Sequence, residues 1–312
     1  MNVLQLLIYL SIIVLIAGVI YRAIKISRMP VHLRWDLYPI PHEKGKEHYG
    51  GSYFEEINWW TKPLKFSLGS EVKEMSREIF LIQSLYRNNR PLWFFSFPFH
   101  VGLYFLIMFA FLLLLGAVLE IAGITIAAAS GNIIPQLIYV LTMVSCFMGS
   151  VLGAFGAIGL FFSRLFKKDL RPLSTPSDYF NLILLAALFI SCFAVWLVAD
   201  RSGDVLRSFI RQSLLFKPAS PVPSAVALQL ILTAIFFIYL PFTHMTHFVG
   251  KYFTYHKVRW EDHPNIRGGK IEKAVVEALG YRLNWSAPHI KAGSTWAEAA
   301  TDLDSLKKGE KK

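Results

Sequence analysis

Five stretches, at about Val3 to Ile24, Trp93 to Ile121, Ile133 to Phe162, Tyr179 to Val198 and Ala225 to Val249, are each apolar over a length that can cross a bilayer. A spanning helix needs roughly 20 apolar residues to cover about 30 Å of hydrocarbon, because every backbone N–H and C=O must be satisfied within the segment. With 54% hydrophobic and only 17% charged residues, the 312-residue chain is poorly suited to a water-facing surface. The expected fold is therefore an all-α integral membrane protein, a bundle of five transmembrane helices. The first stretch carries no charge before Arg22, is too long for a signal-peptide core and has no small-residue cleavage pattern after it, so it reads as a retained anchor. The chain divides into a first transmembrane helix (1–24), a loop (25–92), a four-span bundle (93–250) and a polar tail (251–312).

The cations set the expected orientation. Twelve Lys or Arg lie between Arg22 and Pro91, four (Arg164, Lys167, Lys168 and Arg171) join the third and fourth spans, and twelve follow Gly250. The opposite side holds Arg201, Arg207, Arg211 and Lys217. Cationic loops stay in the cytoplasm, which puts the N-terminus outside and the C-terminus in the cytoplasm of a multi-pass inner-membrane protein. The net charge of +11 is then a matter of topology, and no nucleic-acid-reading motif accompanies it. Cys146 and Cys192 fall inside spans with no CxxC, which argues against covalent haem attachment and cysteine-held clusters. They read as small buried hydrophobes.

The long inner loop carries Trp35, Tyr38, Tyr49, Tyr53, Phe54, Trp59 and Trp60, too much aromatic surface for a free linker. It is expected to pack on the membrane face or on a partner. Residues 71–86 predict a short interfacial helix. The connection around Val205, Leu206, Phe209, Ile210 and Leu214 predicts a second one, with Arg207 and Arg211 on its polar face. Gly149, Gly153, Gly156 and Gly159 form a small-residue stripe that admits a close neighbour, a packed helix in preference to a flat cofactor.

Three of the nine histidines fall within or at the ends of spans: His100 near the start of the second, and His244 and His247 near the end of the fifth. An ionisable group in lipid needs a partner or a metal. The second span leaves the side to which the fifth returns, so His100 and His247 sit at matched depth on antiparallel helices. Imidazole is a strong iron ligand, and a b-type haem needs no thioether bonds. His100 and His247 are therefore the candidate axial ligands of a haem iron, placing haem between the second and fifth helices. His244, three residues before His247, is expected on the same face, contacting a haem propionate, a quinone or a second haem. A different class, a membrane anchor or scaffold with no redox centre, is also compatible with the topology. A transporter is disfavoured, since no inverted repeat or broken helix pair with midplane charges is present.

The stretches FPFHVGLY around His100, GAIGLFFSRLFKKDLRPLSTPSDYF across the third and fourth spans, and YLPFTHMTHF around His247 resemble the cytochrome b gamma subunit of respiratory nitrate reductase. WDLYPIPHE, YFEEINWW, WSAPHI and TWAEAATDL are more similar to its relatives in membrane complexes that pair a cytochrome b with a heterodisulfide-reductase-like iron–sulfur protein. This resemblance implies electron transfer between menaquinol or menaquinone and a cytoplasmic iron–sulfur subunit through haem b, in anaerobic respiration. In the nitrate reductase pattern two haems stack, and the cytoplasmic-side pair matches His100 and His247. The positions of the outer pair hold Ala110 and Gln229 here. The resemblance thus implies either one haem with the quinone close to it, or a second haem held by His244 or by a loop histidine such as His32 or His42.

Overall fold

A computed structural model describes residues 2–30, 40–41, 43, 45–46, 48–49, 52–63, 65–261, 263–287 and 290–302. Along the chain these form α1 (Val3–Ser27), α2 (Leu68–Leu81), α3 (Gln83–Asn88), α4 (Arg90–Ile121), α5 (Ile133–Phe166) and α6 (Pro176–Val198). They are followed by α7 (Asp204–Leu214), α8 (Ser224–Tyr239), α9 (His247–Thr254), α10 (Lys270–Leu279) and α11 (Trp296–Thr301). Among the described residues no strand forms, only isolated bridges such as Arg282 to Thr295. Among the described residues five helices, α1, α4, α5, α6 and α8 with its following turn to Phe242, are long and apolar enough to cross a membrane. The loop histidines His32 and His42, and with them much of WDLYPIPHE, lie outside the described residues.

The chain falls into two units, residues 1–19 with 72–246, and residues 20–71 with 247–312. In the first, α5 packs along α4 on one side and α6 on the other, α8 packs on α6, and α7 lies against α4. The glycine stripe explains the closeness of α4 and α5. A Cβ added to Gly156 would come 2.5 Å from Phe99, one on Gly149 would meet Leu106, and Phe95 and Phe189 fill the space beside Gly159 and Gly153. Helix packing thus occupies all four positions. Asn89 caps α4, its Oδ1 accepting from the Leu92 N–H at 3.1 Å, and α6 opens with a Thr175–Asp178 capping box.

α1 shows apolar residues outward over most of its length, including Leu6, Leu10, Ile13 and Ile16. Its N-terminal end is tied to the segment after α7 by polar groups that hydrocarbon cannot satisfy. Fully buried Gln5 donates to the Lys217 carbonyl at 2.9 Å and accepts from Ala219 at 3.2 Å, while Tyr9 donates to the Ser213 carbonyl at 2.6 Å. The helix predicted over 71–86 is real but broken in two at Ile82, whose φ of 50° is left-handed. Tyr104 donates to the Ile79 carbonyl at 2.7 Å and Trp93 to that of Leu81 at 2.8 Å, pinning this segment to α4.

Two expectations change. The run from Ala225 to Val249 is not one helix: α8 ends at Tyr239 and two 3-10 turns, Leu240–Phe242 and His244–Thr246, precede α9. Pro241 has no N–H to continue the ladder, and its ring crowds the preceding turn. In α7 the apolar face is as expected, with Leu206 and Phe209 buried, yet Arg207 is also buried, at 2% exposure. Its guanidinium lies over Gly116 and bonds Glu120 at 2.6 Å, the Ile126 carbonyl at 3.2 Å, and Asp204. Arg211 completes the cluster, 3.2 Å from Glu120. The cation lies inward because Glu120, at the end of α4, supplies the counter-charge.

In the second unit, Trp59 meets Tyr53 and Phe54 edge to face, and buried Glu43 accepts from the Tyr53 N–H at 2.9 Å. α9 runs into a π-helical turn, Tyr255–Arg259, with Trp260 buried on Tyr255. His256 bonds Glu71 at 2.5 Å, and Lys257 donates to the Ser27 carbonyl at 2.7 Å.

Candidate functional site

His100 sits on α4 one residue beyond Phe99, which packs into the glycine stripe of α5. The ring is therefore turned partly out of the α4–α5 contact and is half-buried. Its Nδ1 stands 2.7 Å from the carbonyl oxygen of Ser96, one turn earlier, with Ser96 Oγ at 3.4 Å. A carbonyl can only accept, so His100 Nδ1 donates this bond, which fixes the orientation of the ring. This is the arrangement in which a metal-ligating histidine is oriented by a second partner, and it fits an axial ligand of haem iron.

His244 is arranged differently. Its Nε2 lies 3.0 Å from Asp178 Oδ1, and Asn181 Nδ2 is 3.5 Å away. Asp178 is the N3 carboxylate of the α6 capping box and also accepts from the Thr175 backbone N–H at 2.8 Å. Arg164 reaches the same carboxylate at 4.0 Å and donates to Ser174 at 3.2 Å, while the Tyr179 hydroxyl donates to the Arg164 carbonyl at 3.1 Å. Asn181 is buried with its Oδ1 unpartnered. The end of α6 thus carries a polar cluster, with the His244 side chain 61% exposed at its edge.

His247 is exposed and opens α9 in the second unit. His244 opens the 3-10 turn His244–Thr246, which ends where His247 begins α9. Ala110 is an exposed position of α4, and Gln229 of α8 accepts a short hydrogen bond from Ser191 of α6. Among the described residues no group of three or more His, Cys, Asp or Glu side chains gathers as a metal site. A bis-imidazole haem takes only two protein ligands, so this bears on closed ion sites alone.

Reasoning from sequence missed Ser96 and the companions of His244. The motif STPSD held a usable signal for Asp178, since Thr–x–x–Asp before an apolar run marks a capping box. Nothing in the sequence signalled that His244 would turn onto it.

The chain is 32% identical over 101 residues to the nitrate reductase gamma chain of Bacillus subtilis (strain 168), a match covering 30% of this chain and 45% of that relative. The chain thus spans less than half the length of the curated relative it matches. No family model matches, and no solved structure does. Together with the five long apolar helices, the match supports a multi-pass membrane protein loosely related to that chain.

Proposed function

We propose that this chain is the membrane cytochrome b subunit of an anaerobic respiratory complex. In this reading it passes electrons between menaquinol or menaquinone and a cytoplasmic iron–sulfur subunit of the heterodisulfide-reductase-like kind. His100 and His247 would hold one haem b, and the bound haem would supply one-electron exchange. The N-terminus lies outside and the C-terminus in the cytoplasm, so the histidine end of α4 faces the iron–sulfur partner.

The observation that supports this reading is the hydrogen bond from His100 Nδ1 to the Ser96 carbonyl, which orients the ring in the way a partner orients a metal-ligating histidine. The similarity to a nitrate reductase gamma chain supports the same class. His244, beside Asp178 and exposed at that end of the bundle, would contact a haem propionate, a quinone or a second haem.

The decisive experiment is a visible spectrum of the purified full-length chain. A reducible b-type absorption is expected, with about one haem per chain by pyridine haemochrome, and it should disappear in His100→Ala and in His247→Ala. His244→Ala should keep the pigment. A colourless but folded full-length protein would instead favour a structural anchor.

A further inference from the structure

The chain holds two cysteines, 46 residues apart, and the fold brings their sulfurs together. Cys146 on α5 and Cys192 on α6 are free thiols, 3% and 4% exposed, with Sγ atoms 3.7 Å apart. A cysteine side chain ends one bond beyond Cβ, so two of them on different helices touch only where the backbones run close. Gly153 supplies that closeness. It lies two turns beyond Cys146 on the same face of α5, and the Phe189 ring of α6 occupies the place of its missing side chain. Phe189 in turn precedes Cys192 by three residues, on the same face of α6.

Several helices meet at this pair. Phe109 and Leu113 of α4, Leu206 and Phe209 of α7, and Val226 and Leu230 of α8 join the same buried cluster. Such surroundings decide what can reach the sulfurs. A protein disulfide exchanger must form a mixed disulfide and needs an accessible sulfur. A charged oxidant is kept out by the apolar packing. Hydrogen peroxide is uncharged and little larger than water, so a brief local opening of the helices admits it.

We propose that Cys146 and Cys192 form a dithiol that a peroxide oxidises to a disulfide tying α5 to α6, and that thiol reductants restore. One thiol attacks the O–O bond and becomes a sulfenic acid, while one oxygen leaves as water. The second thiol attacks the sulfenic sulfur and expels the other oxygen as water. The two sulfurs together give up two electrons, the peroxide takes them, and both thiol protons leave in the two waters. Burial keeps the first attack slow, because the thiolate is the nucleophile. Proximity then governs the product: a sulfenic acid on either sulfur already has its partner thiol in contact, so closure outruns further oxidation. The link restrains the unfolded chain, which makes the oxidised form more resistant to unfolding. The haem reading uses neither sulfur.

The test uses the full chain, purified under reducing conditions into phosphatidylcholine nanodiscs and treated with hydrogen peroxide below its unfolding temperature. After catalase removes the peroxide, N-ethylmaleimide in dodecyl sulfate should label neither cysteine, and dithiothreitol should restore both. Mass spectrometry of non-reduced peptides should show the Cys146–Cys192 link within single chains. The oxidised protein should unfold several degrees higher than the reduced one. In Cys192→Ser, peroxide should leave Cys146 open to the sulfenic-acid probe dimedone, with no rise in the midpoint. His100→Ala should form the link as the parent does, which separates the thiol step from the proposed haem. Two maleimide-reactive thiols after peroxide, links only between chains, or cysteines oxidised singly to sulfinic acid would each overturn the inference. So would a link that appears only once the protein is unfolded, or one that is lost in His100→Ala.

Discussion

Single residues gain their roles from one neighbour. His100 is set by the carbonyl of Ser96, a backbone atom present wherever α4 is helical, so the ring orientation follows from local geometry alone. Arg207 depends on a residue far away in sequence, Glu120, and on the space left by Gly116. Breaking a buried ion pair by removing one partner leaves an uncompensated charge and costs about 3–5 kcal/mol. Glu120→Ala is therefore expected to lower the thermal unfolding midpoint of the purified protein markedly, because it strands Arg207 at the α4–α7 contact. Arg211→Ala, whose partner would still be held by Arg207, should shift the midpoint far less. Equal shifts would count against Arg207 as the buried member of the cluster.

Within the elements, glycine spacing and proline position explain most of what happens. The stripe on α5 lets Phe95, Phe99 and Leu106 approach its backbone, which fixes the face of α4 that turns inward and hence the direction in which His100 emerges. Pro241 ends α8 and hands His244 to the α6 capping box. In the second unit, the turn carrying Glu56 is clasped by Lys62 at 2.9 Å and Lys46 at 3.0 Å. The hydrogen bond from Lys62, then that from Lys46, lowers the Glu56 carboxyl from its ordinary 4.5 to about 2. A pKa depressed by folding means that the unfolded turn binds protons more readily, so this clasp stabilises the turn above about pH 4.5 and fades as pH falls towards about 2. The fluorescence of neighbouring Trp59 and Trp60 should accordingly change across that acid window and lose the transition in Glu56→Gln. A transition of the same size and midpoint in the variant would assign it to another group.

For the whole molecule, the subunit role proposed above calls for a surface on which a partner can dock. Ile57 and Trp60 remain exposed in that segment although Tyr53, Phe54 and Trp59 pack together, which leaves apolar surface for a partner to cover. Deleting residues 36–60 is expected to release the proposed iron–sulfur subunit from membranes while the haem spectrum survives, read by co-purification and by absorbance on the same sample. Retention of the subunit would remove the segment from the docking account.

The apolar runs determined the number of crossings and the helical class, because hydrocarbon tolerates no unsatisfied backbone and leaves a chain of this composition few alternatives. The glycine stripe likewise announced a close helix contact before any coordinates, since absence of a side chain is itself a packing statement. Only the tertiary structure decided that Arg207 faces inward, that His244 pairs with Asp178 and that Asp200 borders a cavity. Each of those outcomes depends on a counter-charge or a void brought from a distant part of the chain, and periodicity along one helix carries no information about what another helix will place opposite it.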